Sequence, residues 1–292
     1  MIYEKTLVIS GEGAMLDYSE TNRPEWITHG DGLSEYMKEI VIEDGITHIG
    51  SHAFTGMTAE TIHIGADVES IGKNAFCEIY GTYQMIVSEE NTAYKDVAGV
   101  LFDKAGTTLL RFPQDRIGGT YTVPEGVKTI DARAFQNAAR LKNIRLPLSL
   151  TSIGADAFSG CEKLANVRMT GGSDALWAQV AIADGNDALS LAARTYAPVA
   201  KASGSFGEAL TWTFDDFGVL TIGGVGAMPE FASDKDAPWY AHRFSVYELV
   251  IEDGVTSISD CAFYNYFLMY TAELGDDVKD IGYRAFWACN AM

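Results

Sequence analysis

The chain has 292 residues, enough for two domains, and its 47% hydrophobic and 21% charged residues describe a folding sequence and exclude a disordered one. Asp and Glu number 40 against 21 Lys and Arg. The formal net charge of -19 argues against non-specific nucleic-acid binding, which needs a cationic surface, and against docking on anionic membranes. No apolar run approaches the ~18 residues of a membrane span, and Met1-Ile2-Tyr3-Glu4-Lys5 lacks the apolar core of a secretion signal.

In chain order, the first strand-like run is Leu7-Val8-Ile9, followed by the turn Gly11-Glu12-Gly13. Ile40-Val41-Ile42, Ile62-His63-Ile64 and Met85-Ile86-Val87 come next. The apolar–variable–apolar alternation marks a strand with one buried face. Two apolar runs within Val100–Leu110, around Asp103-Lys104-Ala105-Gly106, predict a β-hairpin. Further strands follow at Ile144-Arg145-Leu146 and Val167-Arg168-Met169. Ser173 to Ala181 and Asn186 to Arg194 read as short helices, opened by Ser173 and by Asn186 or Asp187. Trp177, Leu176 and Leu189 are expected to fold onto the open end of the stack. The link Ala202-Ser203-Gly204-Ser205 precedes a second set of strands that includes Leu249-Val250-Ile251.

These strands belong to a repeat. Ile-x-x-x-Ala-Phe occurs with its phenylalanine at Phe54, Phe76, Phe135, Phe158, Phe263 and Phe286. Neighbouring copies lie 22 or 23 residues apart. Such a unit cannot bury its own apolar side, whereas stacked units can, so the expected architecture is a solenoid. Coils stacked through parallel strands repeat at ~4.8 Å. Each Phe then lies over the next, and full burial contributes about 1.5–3 kcal/mol per ring. The Ala-Phe pair is expected to begin a short turn or a single helical turn. Strand centres fall at 41, 63, 86, 122, 145 and 168, so only the step from 86 to 122 is abnormal, which places the hairpin in that coil.

A larger duplication overlies the repeat. Leu7 to Met15 and Leu220 to Met228 form a shared opening motif, identical at six of nine positions. Trp26 and Trp239 share the same offset as those two segments, and Val41-Ile42-Glu43-Asp44-Gly45 recurs as Val250-Ile251-Glu252-Asp253-Gly254. Residues 1–199 are therefore read as one module of opening motif, coils, a hairpin-bearing coil and a helical cap at 171–195. Residues 200–292 are read as a second opening motif plus repeats. Both ends look cut, as expected of a fragment of a longer protein.

The unit Leu141-x-x-Ile144-x-Leu146-Pro147-x-x-Leu150-x-x-Ile153-Gly154-x-x-Ala157-Phe158-x-x-Cys161 resembles the BspA-like leucine-rich repeat of bacterial surface proteins. The opening motif Gly-x-Gly-Ala-Met with a later Pro-Trp-Tyr, and Gly185-Asn186-Asp187-x-Leu189, are similar to parts found in that family. The resemblance implies an α/β-type leucine-rich repeat solenoid, mostly β with short helical turns, its parallel strands stacked by 22–23-residue coils. It also implies a secreted or cell-surface location, with adhesion to host proteins in several members. The usual Asn/Cys ladder after the strand is absent.

Little in the chain points to chemistry. Cys161 and Cys289 sit three residues after the motif Phe, a column otherwise holding Met57, Ile79, Ala138 and Tyr266, and read as buried thiols. No Cys-x-x-Cys exists, so neither a zinc site nor a redox dithiol is expected. His48 and His52 are four apart, but Gly50 breaks any helix, and their columns hold solvent-type residues elsewhere. The glycine pairs of the two opening motifs lack the third glycine of a dinucleotide loop and read as turns. The Asp/Gly clusters at 184–187 and 215–216 lack calcium-loop spacing. Nothing breaks the repeat to position an acid, base or nucleophile, so the chain reads as non-enzymatic, without cofactor or metal.

Solenoids bind along the face of their stacked strands. The candidate partner-binding residues are Val41, His63, Ile86, Asn143, Arg145, Asn166 and Arg168. Arg145 and Arg168 should lie one strand apart, either as a cationic spot for carboxylate or sulfate groups or simply as solvated charges. The expected partner is a host or bacterial protein, or a glycan. The alternatives are a spacer presenting other domains and, more remotely, a hydrolase using a carboxylate pair.

Overall fold

A computed structural model describes residues 5–28, 37–231 and 233–292. Met1–Glu4, part of the N-terminal run without the apolar core of a secretion signal, lie outside them. The chain divides into two compact units, Met1–Arg194 and Thr195–Met292, so the expected boundary at 199/200 falls inside the second.

In the first unit the alternating runs form two sheets of parallel-paired strands. One contains Thr6–Ile9, Met37–Ile42, Ala59–Ile64 and Gln84–Val87. The other contains Thr120–Thr122, Asn143–Arg145 and Asn166–Arg168. Registers follow the repeat: Val41 pairs with His63 and His63 with Ile86, while Thr122 pairs with Arg145 and Arg145 with Arg168. The inward partners Ile40, Ile42, Ile62, Ile64, Met85, Ile144 and Val167 are buried.

The strand centres do not form one continuous sheet. Tyr94–Val97, Val100–Asp103 and Thr108–Arg111 make an antiparallel meander, one strand more than the expected hairpin. Its first turn covers the edge of Gln84–Val87. Met85 N–H donates to Gly99 O and Val87 N–H to Asp96 Oδ1, where a next parallel strand would otherwise bond.

The Ala-Phe segment is a tight turn and not a helix. In all six coils the residue two before the motif Phe has positive φ: His52, Asn74, Arg133, Asp156, Cys261 and Arg284. So does the residue two after it: Gly56, Glu78, Asn137, Gly160, Asn265 and Ala288. A left-handed residue at each place prevents helix propagation. It also turns alternate N–H groups toward the neighbouring coil. His52 and Phe54 donate to Lys73 O and Ala75 O, Arg133 and Phe135 to Ala155 O and Ala157 O, and Cys261 and Phe263 to Tyr283 O and Ala285 O. The coils are thus held by three backbone ladders: the strands already given, a second row of short parallel strands such as Ile46–Ile49 with Ser70–Ile71 and Thr129–Ile130 with Ser152–Ile153, and the turns.

Between the ladders the phenylalanines stack: Phe54 on Phe76 at 5.7 Å, Phe135 on Phe158 at 4.9 Å, and Phe263 on Phe286 at 5.5 Å between ring centroids. Phe112, from the hairpin-bearing coil, joins the column on Phe135 at 4.9 Å. The Cys161 and Cys289 thiols donate to Phe135 O and Phe263 O of the preceding coils. Like the other residues of their column they are buried, and Cys77 is buried too.

The acidic turns are structural. Gly45 N–H donates to Asp67 Oδ2 and Ala66 N–H to Asp44 Oδ1 of the adjoining coil. The second unit repeats this with Gly254 to Asp277 and Asp276 to Asp253. Gly45 and Gly254 adopt φ of 91° and 94°, which favours glycine there.

The cap contains two short helices, Asp174–Trp177 and Asp187–Leu191. Ser173 Oγ accepts from Leu176 N–H as the expected cap. Asn186 makes no helix-capping bond. Instead it is buried, donates to Gly154 O and Ala183 O, and accepts from Phe158 N–H. Trp177 and Leu189 are buried, whereas Leu176 is exposed because it points off the stack. In the second unit an antiparallel meander, Ala200–Phe206, Leu210–Asp215 and Val219–Gly224, leads into the parallel strands Glu248–Ile251 and Thr271–Leu274.

Candidate binding face

The candidate residues divide between the two sheets of the first unit. Val41, His63 and Ile86 lie in register on the first, and the structure adds Val8, which pairs with Val41. Val8 is 48% and Ile86 38% exposed, with Val41 and His63 half-buried between them. The row therefore presents three aliphatic side chains and an imidazole across four adjacent strands. A shallow depression of about 490 Å3 runs over Val41, His63 and Ile86, bordered by Glu43, Asp44 and Ser88. Val8 was legible as the middle residue of the first strand, but its place in this row required the pairing of strands about 30 residues apart.

The second sheet is different. Asn166 Nδ2 donates to Asn143 Oδ1 at 2.8 Å, and Asn143 Nδ2 to Thr120 Oγ1 at 3.0 Å, so both amides belong to a ladder along the strands. Arg145 Nε and Nη2 both donate to Thr122 Oγ1. Arg168 pairs with Arg145 as expected but is fully buried, and it is engaged within the protein. The two arginines therefore do not form an exposed cationic spot. Thr122 is the residue missed here: its hydroxyl is one of the groups that hold Arg145.

The two histidines of the first coil do not form a metal pair. His48 lies between Asp17 Oδ1 at 3.3 Å and Ser70 Oγ at 2.7 Å, whereas the His52 Nε2 contact is Asn74 Nδ2 at 3.3 Å. Asp17 also accepts from Ser51 N–H at 2.7 Å. That bond, helped by Ser51 and His48, lowers its pKa from 3.8 to about 2. Among the described residues no group of three or more His, Cys, Asp or Glu is placed to hold a metal ion, and no helix is long and apolar enough to cross a membrane.

Parallel strands, coils of 22–23 residues and a core column of one residue per coil define a leucine-rich repeat solenoid. The profile of the BspA type Leucine rich repeat region matches six copies, over residues 33–98, 119–176 and 238–292. The chain belongs to that family. No curated protein matches it. Among solved structures it is similar to a leucine rich cell surface protein from Faecalibacterium prausnitzii, at 22% identity and a TM-score of 0.49, covering 92% of this chain and 59% of that one. It is also similar to the pneumococcal vaccine antigen PcpA, at 16% identity and a TM-score of 0.41, covering 84% of this chain and 56% of that one. A leucine-rich repeat protein from Bacteroides ovatus matches at 17% identity and a TM-score of 0.38, over 100% of this chain and 74% of the other. The chain thus spans little more than half the length of the first two.

Proposed function

We propose that this chain is a non-enzymatic, protein-binding module of a secreted or cell-surface bacterial protein. It engages its partner through the strand face formed by Val8, Val41, His63 and Ile86. The observation that carries this reading is the in-register row of partly exposed apolar side chains over a depression bordered by Glu43 and Asp44. An apolar centre with a polar rim is the anatomy of a protein interface, and a partner with an apolar anchor flanked by basic groups complements it. Family membership supports the same reading.

The test is a binding screen of the purified chain against immobilised host-matrix proteins and glycans, repeated with Val41→Glu/Ile86→Glu. A loss of about 2 kcal/mol, roughly thirtyfold in Kd, is expected if the row is the centre of the interface. Binding unchanged by the double substitution overturns this face as the site. A screen without any ligand favours the spacer reading. The mutually bonded Thr120, Asn143 and Asn166 side chains of the second sheet are compatible with a spacer there.

A further inference from the structure

Within the first unit the turn ladder is broken at one junction. The first coil donates to the second through His52 and Phe54, and the third to the fourth through Arg133 and Phe135. At the fourth coil the cap takes over, with Asp156 N–H donating to Asp184 O and Phe158 N–H to Asn186 Oδ1. The hairpin-bearing coil reaches the third through Phe112 N–H and Ala134 O. The corresponding donors of the second coil, the Asn74 and Phe76 N–H groups, have no acceptor among the described residues. The inserted meander has displaced the coil that would have supplied one.

Those two residues line a cavity of about 520 Å3, a size typical of small-molecule sites. Its apolar wall comprises Ile71, Phe76, Tyr94, Leu101 and Leu110. Its polar side holds Lys73, Arg111 and Arg133 against Asp131 and Asp156. Arg133 and Asp156 pair with each other at 3.7 Å, and Lys73 and Asp131 are exposed. Arg111 is the unusual member. It is 7% exposed, it donates to the Arg133 backbone carbonyl, and among the described residues no carboxylate pairs with it. A guanidinium carries five N–H donors, and burying its charge without a counter-charge is costly.

We propose that this cavity is a binding site for a small carboxylate with an apolar body. The carboxylate oxygens accept from Arg111 and from the Asn74 and Phe76 N–H groups, and so replace the carbonyls of the displaced coil. The body packs on Phe76, Tyr94 and Leu110. A planar carboxylate suits both a guanidinium fork and a pair of backbone donors. The apolar wall favours such a ligand over a bare inorganic anion. This site lies on the turn side of the coils and does not depend on the strand-face reading. The competing account makes Arg111 only a brace between the hairpin-bearing coil and the third coil, and it predicts no ligand.

The test is an NMR titration of the full chain with 3-phenylpropionate, alongside 3-phenylpropionamide and inorganic phosphate. Saturable shifts of the Asn74 and Phe76 amides are expected with the acid, with the amide and phosphate each at least about tenfold weaker. Arg111→Met should abolish the response. Because Arg111 also braces the fold, Ala132→Trp provides a second variant that fills the cavity mouth from an exposed position, and it should abolish the response too. Absence of saturable shifts up to about 10 mM acid, equal binding of acid and amide, equal binding of phosphate, or an unchanged response in Ala132→Trp would overturn the proposal.

Discussion

Trp239 lies nearly flat on Phe263, ring centroids 5.7 Å apart at 20°, and its indole N–H donates to Ala262 O at 3.2 Å. Trp26 does the same work in the first unit, 6.2 Å from Phe54 at 31°, with its N–H on Ala53 O at 2.9 Å. The tryptophan that follows each opening motif is therefore the first rung of the phenylalanine column. A phenylalanine could stack there but has no N–H for the Ala carbonyl.

Trp239 is fully buried. Trp239→Ala should destabilise the second unit by about 3–5 kcal/mol. Trp239→Phe should cost less, through the lost hydrogen bond and volume. Urea unfolding followed by far-UV circular dichroism measures both. A cost below about 1 kcal/mol for the alanine variant would contradict this packing role.

Asn186 closes the turn ladder with one side chain, accepting from Phe158 N–H and donating to Gly154 O and Ala183 O. Asn186→Ala leaves these buried groups without their partner, at about 1–3 kcal/mol for each group left unsatisfied. Asn186→Asp removes the donors but keeps the acceptor, and should be nearly as harmful. Thermal unfolding, together with amide exchange at Phe158, reports the effect.

Asp17 has a lowered pKa, from 3.8 to about 2, because Ser51 N–H and then the Ser51 and His48 side chains favour its charged form. A depressed carboxylate contributes stability above its unfolded pKa and loses it as pH falls through the folded value. The difference in stability between the wild type and Asp17→Asn should therefore be steady above pH 3.8 and shrink toward about pH 2. Denaturation curves across that interval check it. A difference independent of pH there would show that the carboxylate charge is not responsible.

Burial pushes the Cys161 thiol up to about 12, and it also raises Cys77 and Cys289. The thiolate is the reactive species. In the native protein Cys261, which is half-buried, should label first with a thiol reagent at mild alkaline pH. The other three cysteines should react only on unfolding. Mass spectrometry of partly labelled protein distinguishes this order from uniform labelling.

The repeat spacing, the alternating strands, the phenylalanine column and the paired opening motifs were legible because each is a local pattern recurring with one period. Stacking identical coils turns sequence offset directly into register, so Val41, His63 and Ile86 could be aligned without coordinates. The cysteine column was readable for the same reason.

What only the tertiary structure decided lies where the period fails. The meander after Ile86 divides the strand face, because the Asp96–Gly99 turn bonds the strand edge that a neighbouring coil would have taken. The burial of Arg168, the bracket made by Asn186 and the burial of Arg111 without an ion-paired carboxylate among the described residues depend on which segment covers each group. No spacing rule encodes that. Periodicity determined how the coils repeat. Contacts between segments outside the period determined where the repeat ends, and which of its faces remain open.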